Sequence, residues 1–144
     1  MRVPVLGLAI AVLVCASAGA QTAVSNPLAN SRAFVYEQMK PHTNANGSES
    51  RAVVTGTLAT GEAVSVHESA QPAGTVPPAL HKNQHSEFIV IVEGTVEYKH
   101  DGVVERAGPG SVLYVKIGSE HSVANVGDGP AKYAVIQIGG DAKK

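Results

Sequence analysis

From residue 51 onward the chain is a succession of short β-rich segments cut by turn signals, and few folds accept that pattern. Val, Ile, Thr and Tyr recur through residues 51–58, 63–69, 75–81, 87–93, 95–100, 103–106, 111–117, 121–126 and 132–138. These are the side chains that pack well on a pleated surface. Between them fall Thr60-Gly61, Glu93-Gly94, Gly108-Pro109-Gly110, Gly118 and Gly127-Asp128-Gly129-Pro130. Asp101-Gly102 is the strongest of these signals, because a two-residue type I′ hairpin turn wants Asp or Asn and then Gly at positive φ. Nine such segments in under ninety residues predict an all-β fold, a sandwich or a barrel. Several segments lack clean polar alternation, so both faces should be covered, by other strands or by a second subunit.

The N-terminal part reads differently. Arg2, the apolar residues 5–14 and Ala18-Gly19-Ala20 have the order of a secretory leader, with an apolar run too short to span a bilayer. Residues 1–20 are therefore expected to be a signal peptide and Gln21 the mature N-terminus, which makes the protein exported, periplasmic or secreted. A lipoprotein reading of Cys15 is weaker, because bulky Val14 precedes it. Without the leader 124 of the 144 residues remain, one domain's worth. The mature chain then has no cysteine, hence no disulfide and no thiolate ligand. It carries ten Lys and Arg, eleven less Arg2, against twelve Asp and Glu. Such a balance, without a basic stripe or a second apolar span, argues against nucleic acid and membrane as partners and for a small molecule. Residues 21–50 read as a polar arm and loop in which 34–39 could form an edge strand or one turn of helix, and residues 51–140 as the barrel domain.

The stretch from Leu80 to Gly94 carries the chemistry. His81, Asn83, His85 and Glu87 fall on alternate residues and run directly into the apolar segment Phe88, Ile89, Val90, Ile91 and Val92. On an extended backbone all four polar side chains would share one face. Yet a straight strand would separate His81 from Glu87 by roughly 20 Å, while ligands of one ion bring their donor atoms to about 2.0–2.2 Å from it. If both bind one ion, the backbone must bend between them, in the polar Lys82-Asn83-Gln84 stretch. That bend breaks the alternation and leaves open whether Asn83 or His85 turns inward.

In these residues the chain resembles the cupins, small β-barrels of the jelly-roll type. Gly74 is followed after six residues by His81, then Asn83, Glu87 and Gly94, close to the family's first motif of Gly, His-x-His, Glu and Gly. Gly110, Lys116, Gly118, His121 and Asn125 keep every interval of its second motif, fifteen residues further on. Two positions depart: Asn83 stands where the family has its second histidine, and Lys116 where it has proline. The resemblance implies that His81, Glu87 and His121 hold a divalent metal ion (Fe, Mn, Zn or Ni) inside the barrel. It leaves the fourth donor to Asn83 or to His85, of which imidazole suits these ions better. The expected metal set is His81, His85, Glu87 and His121, although some cupins have lost their metal.

The remaining residues have plainer readings. His42 and His100 are expected to be surface residues, whereas His67, sharing a face with Ala63 and Ser65, could line the pocket. Tyr98, Tyr114 and Tyr133 could aim a phenol into the barrel or simply pack. Asn125 reads as a turn residue fixing the backbone around His121. The resemblance implies a small metalloenzyme of dioxygenase, isomerase or lyase type acting on a small oxygenated molecule, with a non-catalytic module binding a small molecule, sugar or metal as the alternative. Single-domain cupins often dimerise, so a homodimer is also expected.

Overall fold

The computed structural model describes residues 25–142, and the leader expected over residues 1–20 lies outside them. Ten strands appear among the described residues, all paired antiparallel: β1 (Pro41–Thr43), β2 (Glu49–Thr57), β3 (Ala63–Gln71), β4 (His81–Lys82), β5 (Ser86–Glu93), β6 (Val96–His100), β7 (Val103–Ala107), β8 (Val112–Val115), β9 (Glu120–Asn125) and β10 (Ala131–Ile138). They form two sheets, one of six strands in the order β1-β2-β3-β10-β5-β8 and one of four in the order β4-β9-β6-β7. The all-β fold expected from the segment pattern, and the jelly roll that the resemblance implies, are what these sheets form.

Three local expectations are corrected. Residues 75–80 form no strand, because Pro77 and Pro78 have no N–H to give a ladder, and only His81–Lys82 pairs. The loop expected over residues 40–50 contains β1 and the start of β2, with Pro41, His42 and Thr43 opposite Arg51, Ser50 and Glu49. Proline is tolerated there because β1 is an edge strand. Of the two readings of residues 34–39, one turn of 3₁₀ helix at Tyr36–Gln38 is correct and an edge strand is not.

Strand parity decides where the core lies. On β5 the inward set is Glu87, Ile89 and Ile91, and antiparallel β10 sets Gln137, Val135 and Tyr133 opposite them. On the next strand, β3 places Ser65, His67 and Ser69 beside the same three residues of β10. One end of the lumen is thus apolar and the other polar. Ile91, Val96 and Val115 are the largest fully buried side chains, each contributing roughly 1.5–3 kcal/mol by burial. They pack in one cluster with Ile89, Tyr98, Leu113, Val123, Tyr133 and Val135.

Two turns need their residue type. Asp101 and Gly102 both take positive φ, 45° and 82°, as the hairpin signal requires. Gly94, at φ 80°, has no room for a side chain: a Cβ would lie 2.4 Å from the Pro130 carbonyl oxygen and 2.7 Å from Ala131 Cα. Gly94→Ala is expected to cost roughly 2–4 kcal/mol, left-handed strain plus overpacking against backbone that cannot retreat. Equilibrium denaturation checks this, and a loss below about 1 kcal/mol would mean that the β5–β6 turn relaxes at little cost.

Candidate metal centre

The bend demanded by the spacing of His81 and Glu87 is a change of sheet. His81 opens the two-residue strand β4 of the four-stranded sheet, where it stands directly opposite His121 of β9. Five residues after His81, β5 begins in the six-stranded sheet. The crossing is tied by the Gly118 amide, which donates to the Asn83 carbonyl at 2.9 Å. As a result His81 and Glu87 approach from different walls of the same lumen. The His81 and His121 rings lie 4.4 Å apart, centre to centre, and His121 Nε2 is 3.4 Å from Glu87 Oε2.

The two imidazoles are oriented alike. His81 Nδ1 is 3.1 Å from the Ala79 carbonyl oxygen and His121 Nδ1 is 3.2 Å from that of Ser119. A carbonyl only accepts, so each Nδ1 carries the hydrogen and each Nε2 is the nitrogen available to the lumen. Glu87 is buried and held by its other oxygen: Oε1 accepts from Asn83 Nδ2 at 2.9 Å, His85 Nε2 at 2.9 Å and Gln137 Nε2 at 3.0 Å. Burial pushes its carboxyl upward, but the contacts with His121, His85 and Gln137 outweigh burial and hold it at about 2. Burial lowers His121, the adjoining Glu87 carboxylate raises it, and the net direction is upward.

All four residues expected as ligands adjoin one another in a chain, His81 to His121 to Glu87 to His85, but they do not play equivalent parts. His85 stands behind Glu87, with Nε2 on the carboxylate and Nδ1 2.6 Å from Asp141 Oδ1. Both nitrogens face carboxylate oxygens. Asn83 also turns its amide nitrogen to Glu87. Among the described residues no three or more His, Cys, Asp or Glu side chains already stand grouped to hold one ion. The donor chemistry nonetheless fits a borderline divalent ion: two imidazoles with free Nε2 atoms and one carboxylate kept ionised.

The polar end of the lumen is a cavity of about 290 Å³, lined by His81, Glu87 and His121 and by neutral polar side chains that include His67, Ser69 and Gln137. His67 lines it, makes no hydrogen bond to the described residues, and is shifted downward, first by burial, against the pull of Glu87. Tyr133 lines it too and accepts from Gln71 Nε2 through its hydroxyl at 2.8 Å. Tyr98 packs in the core with its hydroxyl donating to the Tyr114 carbonyl, and Tyr114 lies exposed on the outer face. His42 is exposed on β1, and His100 stacks on Tyr98 and contacts Glu105. A larger concavity of about 360 Å³ lies outside the six-stranded sheet, but its cations Arg51 and Lys132 are already paired with Glu49 and Glu93. Chemistry, and not volume, selects the inner cavity.

Sequence reasoning missed Gln71 and Asp141. Gln71 accepts from the Asn125 amide at 2.7 Å through Oε1, while the Asn125 side chain donates to the carbonyls of Gln71 and Gly129. Asn125 is a turn residue as expected, but the backbone it fixes is the β9–β10 turn and the end of β3, not that around His121. Asp141 follows the pair Gly139-Gly140, and that pair was the one local hint of a tight turn after the last strand.

A closed jelly roll with two imidazoles and a carboxylate in its polar end is the architecture of a cupin. Residues 66–137, half of the chain, match the family model described as "Cupin domain", and the chain belongs to that family. Solved structures agree on the fold. An RmlC-like cupin from Shewanella frigidimarina superposes with a TM-score of 0.61 at 19% identity, covering 75% of this chain and 91% of that one. A predicted oxalate decarboxylase from Thermotoga maritima gives 0.60 at 19%, with 74% and 98% covered. KdgF from a Halomonas species gives 0.62 at 13%, with 72% and 92% covered. No curated protein matches the chain.

Proposed function

We propose that this cupin is an exported metal-binding protein, a small metalloenzyme of dioxygenase, isomerase or lyase type whose substrate is a small oxygenated organic molecule. The observation that carries the reading is the pairing of an ionised, buried Glu87 with two imidazoles that both present Nε2. His81, Glu87 and His121 would hold the ion. A bound divalent ion would supply Lewis acidity or, if redox-active, a place for dioxygen. The chain supplies the rest. His67, lowered by burial and without a hydrogen bond among the described residues, is the group able to take or return a proton at a ring nitrogen. Ser69, Gln137 and the Tyr133 hydroxyl orient polar atoms of the substrate, and a cavity of about 290 Å³ limits that substrate to a small molecule.

The deciding experiment begins with protein recovered from its native compartment. Intact mass should start at Gln21, and elemental analysis should find about one divalent ion per chain. Turnover of a panel of small oxygenated compounds with Fe, Mn, Zn and Ni in turn follows. A raised melting temperature with a ligand but no product would replace the enzyme by a binding module. Identical melting curves with and without chelator would remove the metal.

The outer face of the six-stranded sheet supports a homodimer. Phe88 and Tyr114 pair across β5 and β8 with ring centres 5.2 Å apart, and Val92 (64% exposed) and Val112 (59%) continue the apolar patch. A two-fold interface sets the same patch against itself, so apolar meets apolar. Val92→Asp is expected to shift the sedimentation mass from that of two chains to that of one. An unchanged mass would place the interface elsewhere or show that there is none.

A further inference from the structure

After β10 the chain turns back onto the site from outside. Gly139 and Gly140 both take positive φ, 73° and 49°. The Gly139 amide donates to the Ala63 carbonyl at 2.8 Å and the Asp141 amide to the Gln84 carbonyl at 3.1 Å. A Cβ at Gly140 would lie 1.6 Å from that same Gln84 oxygen, so only glycine lets the turn press against the segment that carries His85. Ala142 is buried behind it.

The turn delivers Asp141 Oδ1 to His85 Nδ1 at 2.6 Å, and His85 Nε2 reaches Glu87 Oε1 at 2.9 Å. Each ring nitrogen of His85 thus stands within hydrogen-bond distance of a carboxylate oxygen, and its ring plane is pinned at both ends. Glu87 Oε1 is thereby committed to the wall, shared with Asn83 and Gln137, and Oε2 is the oxygen that faces His121. Asn83 and Gln137 are neutral amides. His85 is the one donor to Glu87 that a second carboxylate holds in place.

We propose that Asp141, acting through His85, is a positioning residue that decides which oxygen of Glu87 faces the cavity, and so sets the geometry of the His81, Glu87 and His121 centre. The inference rests on the metal-binding reading for its consequence, but not for its first test. Asp141 touches neither His121 nor the cavity, so an effect on His121 can reach it only along this chain of contacts.

Histidine ring ¹⁵N resonances of metal-free protein test the link directly, with Asp141→Ala, with Asp141→Asn, which keeps an oxygen opposite His85, and with Asp141→Ser in reserve should the alanine variant not fold. The expected result is that the His121 signals move in Asp141→Ala and stay near the parent in Asp141→Asn. Zinc titration of the same proteins should show affinity reduced about 10–100-fold in the alanine variant only, the range for lost support behind a ligand. If the His121 signals move and the parent binds no zinc, the positioning link stands and the metal reading falls. Unmoved His121 signals in folded Asp141→Ala would overturn the inference, whatever the zinc affinity.

Discussion

Glu87→Gln is expected to keep the barrel folded while losing more than about 100-fold in affinity for a divalent ion, beyond the range for losing a residue that only supports a ligand. The amide has the shape of the carboxylate, so an oxygen can still meet Asn83, His85 and Gln137. What it lacks is charge: the side facing His121 becomes a neutral group, and an NH₂ placed there has no lone pair for an ion. Calorimetric titration with zinc measures the loss, and circular dichroism verifies the fold. Affinity near that of the parent would remove Glu87 from the donor set and with it the reading of this cavity as a metal centre.

The metal-free protein should lose on the order of 3 kcal/mol of stability between about pH 5 and pH 2, and Glu87→Gln should show little of that loss. The magnitude follows from a carboxyl lowered from 4.5 to about 2, at about 1.36 kcal/mol per unit. A carboxyl depressed in the folded state gives stability that is complete above its unfolded value and disappears as pH falls through the folded one. His121 works in the other direction: raised on folding, it contributes fully below about 6.5 and loses that contribution as pH rises through its folded value. The two shifts describe one ion pair and are not added. His67, lowered by burial, reinforces the acid limb, because its protonation favours the unfolded chain. Stability should therefore peak between about pH 5 and 6.5. Denaturant midpoints from pH 2 to 9 check the profile, and a parent as flat in acid as Glu87→Gln would show that the buried carboxylate makes no net contribution.

Much of this molecule could be read before its coordinates. The Asp101-Gly102 hairpin and the glycine-framed placing of Glu87 and His121 are local facts, whereas the apolar run over residues 88–92 gives no sign that Phe88 and Val92 face outward. The need for a bend between His81 and Glu87 was likewise a matter of distance along one segment. Residues 75–80 carry strand-forming side chains but no strand, because two of them are prolines that cannot donate to a ladder. The edge strand Pro41–Thr43 leaves no local signal, because three exposed residues carry no period and only their partner Glu49–Arg51 makes them a strand.

The fourth donor shows where such reading stops. Once the chain leaves one sheet at Lys82 and enters the other at Ser86, parity no longer says which way His85 points. Its direction is decided by Asp141, 56 residues away, and by the Gly139-Gly140 turn that brings Asp141 there. The sequence alone determined an all-β barrel and the kinds of side chain at its polar end, because turn chemistry and two-residue alternation act over a few neighbours. Tertiary structure alone decided that His81 lies across from His121, that Glu87 offers one oxygen to the cavity, and that His85 stands behind it, because each depends on strand register and chain closure between segments that no local pattern relates.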